Sequence, residues 1–106
     1  MRTLNRKATP FLVQHDAAIP MRDATILRAD IYRPDDQTAT VPTLLVRSPY
    51  GEGSFRGVGV VPALEKGFAV VLQHCRGRGS SDGEFRPWLD EGDDGFDTIG
   101  WITTQP

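Results

Sequence analysis

The sequence predicts an α/β protein in which an antiparallel β-hairpin is followed by a βαβ unit and a closing helix. Residues 25–32 alternate between apolar and polar side chains, whereas residues 43–46 and 68–72 are continuous apolar runs. Alternation is typical of a strand with one buried face, and a continuous run is typical of a strand covered on both faces. A segment with helical character separates the two apolar runs, which is the order of elements in a βαβ unit.

The predicted hairpin consists of two short strands near the start of the chain. Residues 11–15 form the first strand candidate, and residues 17–23, which contain Pro20, are expected to be the connection. The second strand is predicted over residues 25–32. Because proline has no backbone N–H to donate, Pro34 is expected to lie just beyond the end of that strand.

The predicted βαβ unit comes next along the chain. Residues 42–47 and 68–72 are expected to be neighbouring parallel strands, both buried on two faces. Residues 51–59 form a glycine-rich loop, and residues 60–66 are predicted as a short helix. Gly67 follows at once, in the position where glycine commonly ends a helix.

A second helix is predicted over residues 90–104, after a long loop that contains several glycines. Its first turn, residues 90–94 (DEGDD), carries four carboxylates, which the positive end of the helix dipole stabilises. Phe96, Ile99 and Ile102 share one face of this helix, so we expect that face to pack against the sheet.

The chain has 106 residues, enough for one small domain and too few for two. Two strands buried on both faces need cover from helices on each side, and the two predicted helices are barely sufficient. We therefore expect an incomplete sheet, with residues 1–106 forming one segment of a larger domain and residues 1–10 forming a loose leader.

Charge and cysteine content narrow the classes of partner and compartment. Twelve basic and 14 acidic residues give a formal net charge of -2 without a basic run, so neither a nucleic acid nor a membrane is an expected partner. The scattered arginines are interpreted as solvated surface charge. Cys75 is a lone cysteine without metal-ligand spacing around it, and no apolar leader or membrane span is evident. We expect a cytoplasmic protein with no metal or cofactor.

Residues 79–83 (GSSDG) match the G-x-S-x-G pattern of a serine nucleophile elbow, with Ser81 in the nucleophile position. An elbow requires a strand that turns directly into a helix behind the serine, and Pro87 disfavours a helix there. A glycine-rich turn in which serine hydroxyls bond the backbone is therefore the favoured interpretation. Catalysis by Ser81 with His74 is the weaker alternative.

Tyr50 is the candidate catalytic residue that the pattern of elements favours. It follows a predicted parallel strand and begins a glycine-rich loop, at the sheet edge where α/β proteins commonly bind ligands. A phenol hydroxyl held there can donate a hydrogen bond to a developing oxyanion. A tyrosine that merely packs on the turn is an equally good interpretation of the residues alone. The glycines do not have the spacing of a nucleotide-binding loop.

Several ordered segments together resemble the CocE/NonD hydrolases, a group that contains cocaine esterase, the α-amino-acid ester hydrolases and the X-prolyl dipeptidyl peptidases. The segments are residues 19–24 (IPMRDA), 27–34 (LRADIYRP), 42–50 (PTLLVRSPY), 66–73 (KGFAVVLQ), 76–85 (RGRGSSDGEF) and 93–102 (DDGFDTIGWI). The resemblance extends over most of the chain from Ile19 onward.

The resemblance implies the N-terminal portion of an α/β-hydrolase fold, with residues 1–106 as the N-terminal segment of its catalytic domain. It implies a serine hydrolase that cleaves small ester or peptide substrates with a Ser-His-Asp triad. In that family a tyrosine hydroxyl completes the oxyanion hole, and it corresponds to Tyr50. The family's nucleophile, acid and base would all follow Pro106, so the chain alone is expected to be inactive. The alternative is a non-catalytic interaction module or pseudo-enzyme remnant that self-associates through an exposed sheet edge.

Overall fold

The computed structural model of the protein describes residues 11–35, 41–86 and 88–105. The predicted leader, residues 1–10, lies outside the described residues. In chain order the elements are β1 (Phe11–Pro20), β2 (Ile26–Pro34), β3 (Thr43–Ser48), a 3-10 helix (Glu52–Phe55), α1 (Val60–Glu65), β4 (Ala69–His74) and α2 (Glu91–Ile102). Gly67 has a φ of +88° just after α1, as expected of a glycine that ends a helix.

The strands form one mixed sheet of four strands in the order β1-β2-β4-β3. β1 pairs with β2 and β2 with β4 in antiparallel fashion. β3 and β4 are parallel, with Thr43 opposite Ala69 and Ser48 opposite His74. Because α1 connects β3 to β4, the predicted βαβ unit and the α/β fold class are confirmed.

The first strand is longer than the sequence predicts. β1 continues to Pro20, which pairs with Ile26, so the expected connection over residues 17–23 is wrong for its first half. The pairing shifts at a bulge where Asp16 has a φ of +52°, and the strand resumes beyond it. A proline is tolerated there because β1 is an edge strand of the sheet formed by the described residues and Pro20 is its last residue. Pro34 likewise is the last residue of β2 instead of lying beyond it.

The two apolar strands differ in burial. All six residues of β4 are buried, as expected of a strand with neighbours on both sides. In β3 only Ser48 is buried, and Leu44 is 44% exposed, so the prediction of a strand covered on both faces is wrong for β3. Within the described residues, β3 pairs with a strand on one side only, so the sheet is incomplete as expected.

The core lies on both faces of the sheet. The α2 side holds a cluster of Ile19, Met21, Leu27, Ala29 and Val71, against which Trp101 and Ile102 of α2 pack. The α1 side holds a smaller cluster of Phe55, Val70 and Leu72, against which Val60 and Ala63 of α1 pack. Helices therefore cover the sheet from both sides, which leaves the ends of the strands open for a functional site.

Helix α2 faces the sheet with a different side from the one predicted. Phe96 and Ile99, which were expected to pack inward, are 72% and 55% exposed, whereas Ile102 does pack against the core. The inward side instead contains Asp94 and Thr98, both buried. Thr98 accepts a hydrogen bond from Gln73 of the sheet, and Asp94 accepts one from Arg76 in the loop after β4.

Candidate active site

A cavity of about 440 Å³ opens at the carboxyl ends of the parallel strands β3 and β4. This is the end of the sheet where open α/β proteins commonly bind their ligands. The lining residues come from β3, the loops after β3 and β4, and the start of α2: Arg47, Pro49, Tyr50, Cys75, Phe85, Trp88 and Glu91. Most of this lining is apolar, with Arg47 and Glu91 as its charged members.

Tyr50 lies at the mouth of this cavity, two residues after the end of β3, where the sequence places it. Its side chain is open to solvent, and the residue is 81% exposed. The chain turns sharply behind it, because Gly51 has a φ of +86°, a conformation that residues with a Cβ rarely adopt. The Tyr50 side chain is therefore accessible at the edge of the cavity that it lines.

Hydrogen bonds hold the backbone on both sides of Tyr50. The Tyr50 N–H donates to Ser48 Oγ at 3.1 Å, and Ser48 Oγ lies 2.7 Å from Ser54 Oγ. Ser54 Oγ donates to the Gly51 carbonyl at 2.6 Å. Arg78, from the loop after β4, donates to the Pro49 carbonyl at 2.7 Å. Tyr50 therefore lies on a loop whose backbone is held in place by hydrogen bonds.

The polar part of the cavity is an ion pair between β3 and α2. Arg47 donates from Nη1 to the Glu91 carboxylate and from Nε to Gln73 Oε1. The Arg47 side chain is only 12% exposed. The interpretation of the scattered arginines as solvated surface charge is therefore wrong for Arg47. Its partners Gln73 and Glu91 lie on β4 and α2, which meet β3 only in the folded chain.

Cys75 is the one sulfur nucleophile that lines the cavity. Burial raises the pKa of its thiol to about 11, and the neighbouring Glu91 carboxylate accepts from Sγ at 3.5 Å. Since the thiolate is the reactive form of cysteine, the protonated Cys75 is a poor nucleophile at neutral pH.

Ser81, the alternative nucleophile, is buried with both its hydrogen-bonding functions directed at the backbone. Its Oγ donates to the His74 carbonyl at 2.8 Å and accepts from the Arg28 N–H at 2.7 Å. Residues 81–86 are not helical, so the geometry of a nucleophile elbow is not formed around Ser81. This is the arrangement that the turn interpretation predicts. The His74 ring is buried and packs against Phe55, with ring centroids 5.6 Å apart.

A second arginine, Arg76, joins the loop after β4 to both α2 and the β1–β2 turn. Its guanidinium pairs with the buried Asp94 at 2.8 Å and with Asp23 at 2.9 Å. The hydrogen bond from Arg76 lowers the pKa of the Asp23 carboxyl to about 2. The Arg76 side chain is also only 12% exposed, so the interpretation as solvated surface charge is wrong for Arg76 as well.

The acidic start of α2 therefore has more specific partners than the helix dipole alone. Asp90 pairs with Arg86, Asp94 with Arg76 and Glu91 with Arg47.

Among the described residues, no group of three or more His, Cys, Asp or Glu side chains is arranged to hold a metal ion. The helices of the described chain are also too short or too polar to cross a membrane.

Comparison with known proteins identifies the family. The sequence model of the X-Pro dipeptidyl-peptidase (S15) family matches residues 23–106, which is most of the chain. The chain belongs to this family. Over 100 residues, this S15 family chain is 39% identical to cocaine esterase from Rhodococcus sp. (strain MB1 Bresler). The match covers 90% of the chain and 17% of that enzyme.

Solved structures give the same fold for this S15 family chain. A CocE/NonD family hydrolase from Staphylococcus aureus superposes with a TM-score of 0.76 at 21% identity, over 90% of this chain and 21% of the other. An α-amino acid ester hydrolase superposes with a TM-score of 0.72 at 24% identity, over 99% and 20% of the two chains. The resemblance to the N-terminal part of CocE/NonD hydrolases is therefore confirmed.

The chain spans about a fifth or less of the length of these relatives. The relatives are hydrolases, an esterase and an ester hydrolase among them, so the family points to hydrolysis.

The residues that surround Tyr50 could not be predicted from the sequence. Ser48, Ser54 and Arg78 belong to two different loops, and Glu91 reaches the cavity from α2. A serine at the end of a predicted strand and another in the glycine-rich loop after it were the available signals. Neither signal says which hydroxyl meets which backbone group, because that depends on how the loop folds back.

Proposed function

We propose that this chain is the N-terminal segment of the catalytic domain of a serine hydrolase, to which it contributes Tyr50 as an oxyanion-hole donor. The substrates proposed are small esters or peptide-like amides. The observation that carries the proposal is the position of Tyr50, exposed at the carboxyl end of β3 beside a 440 Å³ cavity. The 39% identity to cocaine esterase supports ester hydrolysis, and the match to the X-Pro dipeptidyl-peptidase family supports hydrolysis of peptide-like amides.

The proposed role follows from the charge that develops in acyl transfer. When a nucleophile attacks an ester or amide carbonyl, the carbonyl oxygen gains negative charge in the transition state. The Tyr50 hydroxyl can donate a hydrogen bond to that oxygen. Such a donor is most effective when it is already in place, and the hydrogen bonds on both sides of Tyr50 support that condition.

The nucleophile, the acid and the base are proposed to come from other parts of the hydrolase. Within the described residues, the Ser81 hydroxyl is engaged with the backbone and the Cys75 thiol is protonated at neutral pH. The chain alone is accordingly proposed to be inactive. A cytoplasmic location stays a prediction.

A non-catalytic interaction module is the second candidate function. The observation in its favour is the edge strand β3, whose residue Leu44 is 44% exposed and which pairs on one side only within the described chain. Edges of this kind can pair with a strand of another chain. The two candidates differ in whether a protein that contains this segment reacts with a reagent specific for activated serines.

The first test is Tyr50→Phe in the complete protein that contains residues 1–106, with ester hydrolysis as the assay. Loss of the hydroxyl removes one oxyanion-hole donor, so we expect kcat to fall by about a hundredfold to a thousandfold. KM should change little, because the hydrogen bond strengthens only in the transition state.

The matched control is Tyr32→Phe, which removes a phenol hydroxyl from β2, where the ring packs on the α1 side of the core. It should leave kcat close to that of wild type, because Tyr32 does not line the cavity. An unchanged kcat in Tyr50→Phe contradicts the proposed role of Tyr50.

Labelling of the complete protein by a fluorophosphonate probe supports a serine hydrolase, and a lack of labelling favours the interaction module.

A further inference from the structure

We propose that Ser48, Ser54 and Arg78 are positioning residues for the Tyr50 hydroxyl; we call these three residues the Tyr50 clamp. The inference rests on the proposed function, since it assigns the residues that orient the oxyanion-hole tyrosine. None of the three is proposed to touch the substrate. Their role is to fix the backbone from which the Tyr50 side chain extends.

The directions of the hydrogen bonds around Ser48 and Ser54 follow from counting hydrogens. A serine hydroxyl has one hydrogen to donate. Ser54 Oγ uses its hydrogen on the Gly51 carbonyl at 2.6 Å, so Ser48 must be the donor in the 2.7 Å bond between the two hydroxyls. Ser48 Oγ then accepts the Tyr50 N–H at 3.1 Å. The result is a one-way chain from the Tyr50 N–H through both hydroxyls to the Gly51 carbonyl.

Arg78 completes the clamp from the other side of the same peptide group. The Pro49 carbonyl, which accepts from Arg78 Nε at 2.7 Å, and the Tyr50 N–H, which donates to Ser48, belong to one peptide unit. Bonds at both ends of a planar peptide unit resist its rotation. The Arg78 guanidinium also lies over the Phe85 ring, 5.0 Å from its centroid, which holds the arginine in place.

The clamp fixes the backbone from which an exposed side chain extends. Ser48 is buried, whereas Tyr50 itself is exposed, so the backbone is fixed where the ring is accessible. Hydrogen bonds that run in one direction polarise one another and strengthen the chain. Placement matters for catalysis, since a displacement of about 1 Å can cost about a hundredfold in rate.

The test is a double-mutant cycle in the complete hydrolase, with kcat and KM for ester hydrolysis measured in each variant. Ser54→Ala breaks the chain at an exposed residue and should lower kcat by about tenfold while KM stays nearly constant. In the Tyr50→Phe background, Ser54→Ala should have no further effect, because the hydroxyl that it positions is already gone. Ser54→Thr keeps the hydroxyl and should restore kcat.

The matched control is Ser80→Ala, which removes an exposed serine hydroxyl that bonds Asp16 and should leave kcat unchanged. An unchanged kcat in Ser54→Ala, or an equal loss in the wild-type and Tyr50→Phe backgrounds, overturns the clamp while leaving the role of Tyr50 intact. If Tyr50→Phe itself has no effect, the proposed function fails and the clamp fails with it. Circular dichroism of each variant verifies that the comparison is made between folded proteins.

Discussion

Single residues in this chain adopt conformations that their side chains do not favour. Ala24, in the turn between β1 and β2, has a φ of +70°. The turn is closed by hydrogen bonds from the Met21 N–H to the Thr25 carbonyl at 2.8 Å and from the Ala24 N–H to the Met21 carbonyl at 2.9 Å. The left-handed conformation costs an alanine about 1 kcal/mol or more because its Cβ crowds the backbone. The turn therefore imposes strain on Ala24 that a glycine would avoid.

Ala24→Gly is expected to stabilise the folded chain by about 0.5–1 kcal/mol, the relief of strain being partly offset by the greater flexibility of glycine when unfolded. Urea denaturation measures the change in the free energy of unfolding. Ala18→Gly, at an exposed position of β1, is the matched control and should destabilise by a similar amount, because its backbone is regular strand. A loss of stability in Ala24→Gly would contradict the strain argument.

At the scale of elements, helix α2 is oriented by buried polar contacts. Thr98 Oγ1 accepts from Gln73 Nε2 at 2.9 Å, and Gln73 lies in the fully buried strand β4. Gln73 Oε1 in turn accepts from Arg47, which also binds Glu91 at the start of α2. An unsatisfied polar group in this interior is costly, and the polar side of the helix supplies the partner that buried Gln73 needs.

Thr98→Val is expected to reduce the free energy of unfolding by about 1–3 kcal/mol, because it keeps the shape of the side chain and removes the acceptor for the Nε2 group of buried Gln73. The measurement is urea denaturation at neutral pH. Thr103→Val removes an exposed hydroxyl at the end of the same helix and should cost less than about 0.5 kcal/mol. Equal stability of the two variants would show that packing alone orients α2.

At the scale of the whole molecule, arginines connect segments that are far apart in the chain. Arg76 joins the loop after β4 to Asp23 in the β1–β2 turn and to Asp94 in α2. Arg22 of the same turn joins Asp97 in α2 through both carboxylate oxygens, which lowers the pKa of Asp97. The turn and the helix are therefore linked through two arginines, directly by Arg22 and by way of the loop after β4 by Arg76. Self-association of the chain through an exposed sheet edge stays a prediction.

These pairs predict that stability falls in acid. The pKa of Asp23 drops from 3.8 to about 2 on folding, so the folded chain binds this proton less readily than the unfolded chain. The contribution is complete above the unfolded pKa and is lost as pH falls from about 4 to about 2. In Asp23→Asn the free energy of unfolding should change less over this range than in wild type. Urea denaturation at a series of pH values measures it.

High salt provides the control for this pH prediction. The Asp23 side chain is 53% exposed, so dissolved ions reach the pair from its side and screen the attraction between the charges. The difference between wild type and Asp23→Asn should therefore shrink at 1 M salt, where the screening length is about 3 Å. Identical pH profiles of the two proteins at low salt would contradict the role of the Arg76–Asp23 pair.

The sequence by itself determined the elements whose signals are local. The alternation in β2, the apolar run in β4 and the glycine after α1 each depend on neighbouring residues, and Tyr50 is located by its place after a strand. Other features were decided only by the tertiary structure, because they depend on residues that are distant in the chain. The inward side of α2 requires Gln73 and the Tyr50 clamp requires Arg78, while Ser81 bonds the N–H of Arg28, 53 residues away. Hydrogen-bond partners of this kind are determined when packed elements meet, and no local pattern encodes them.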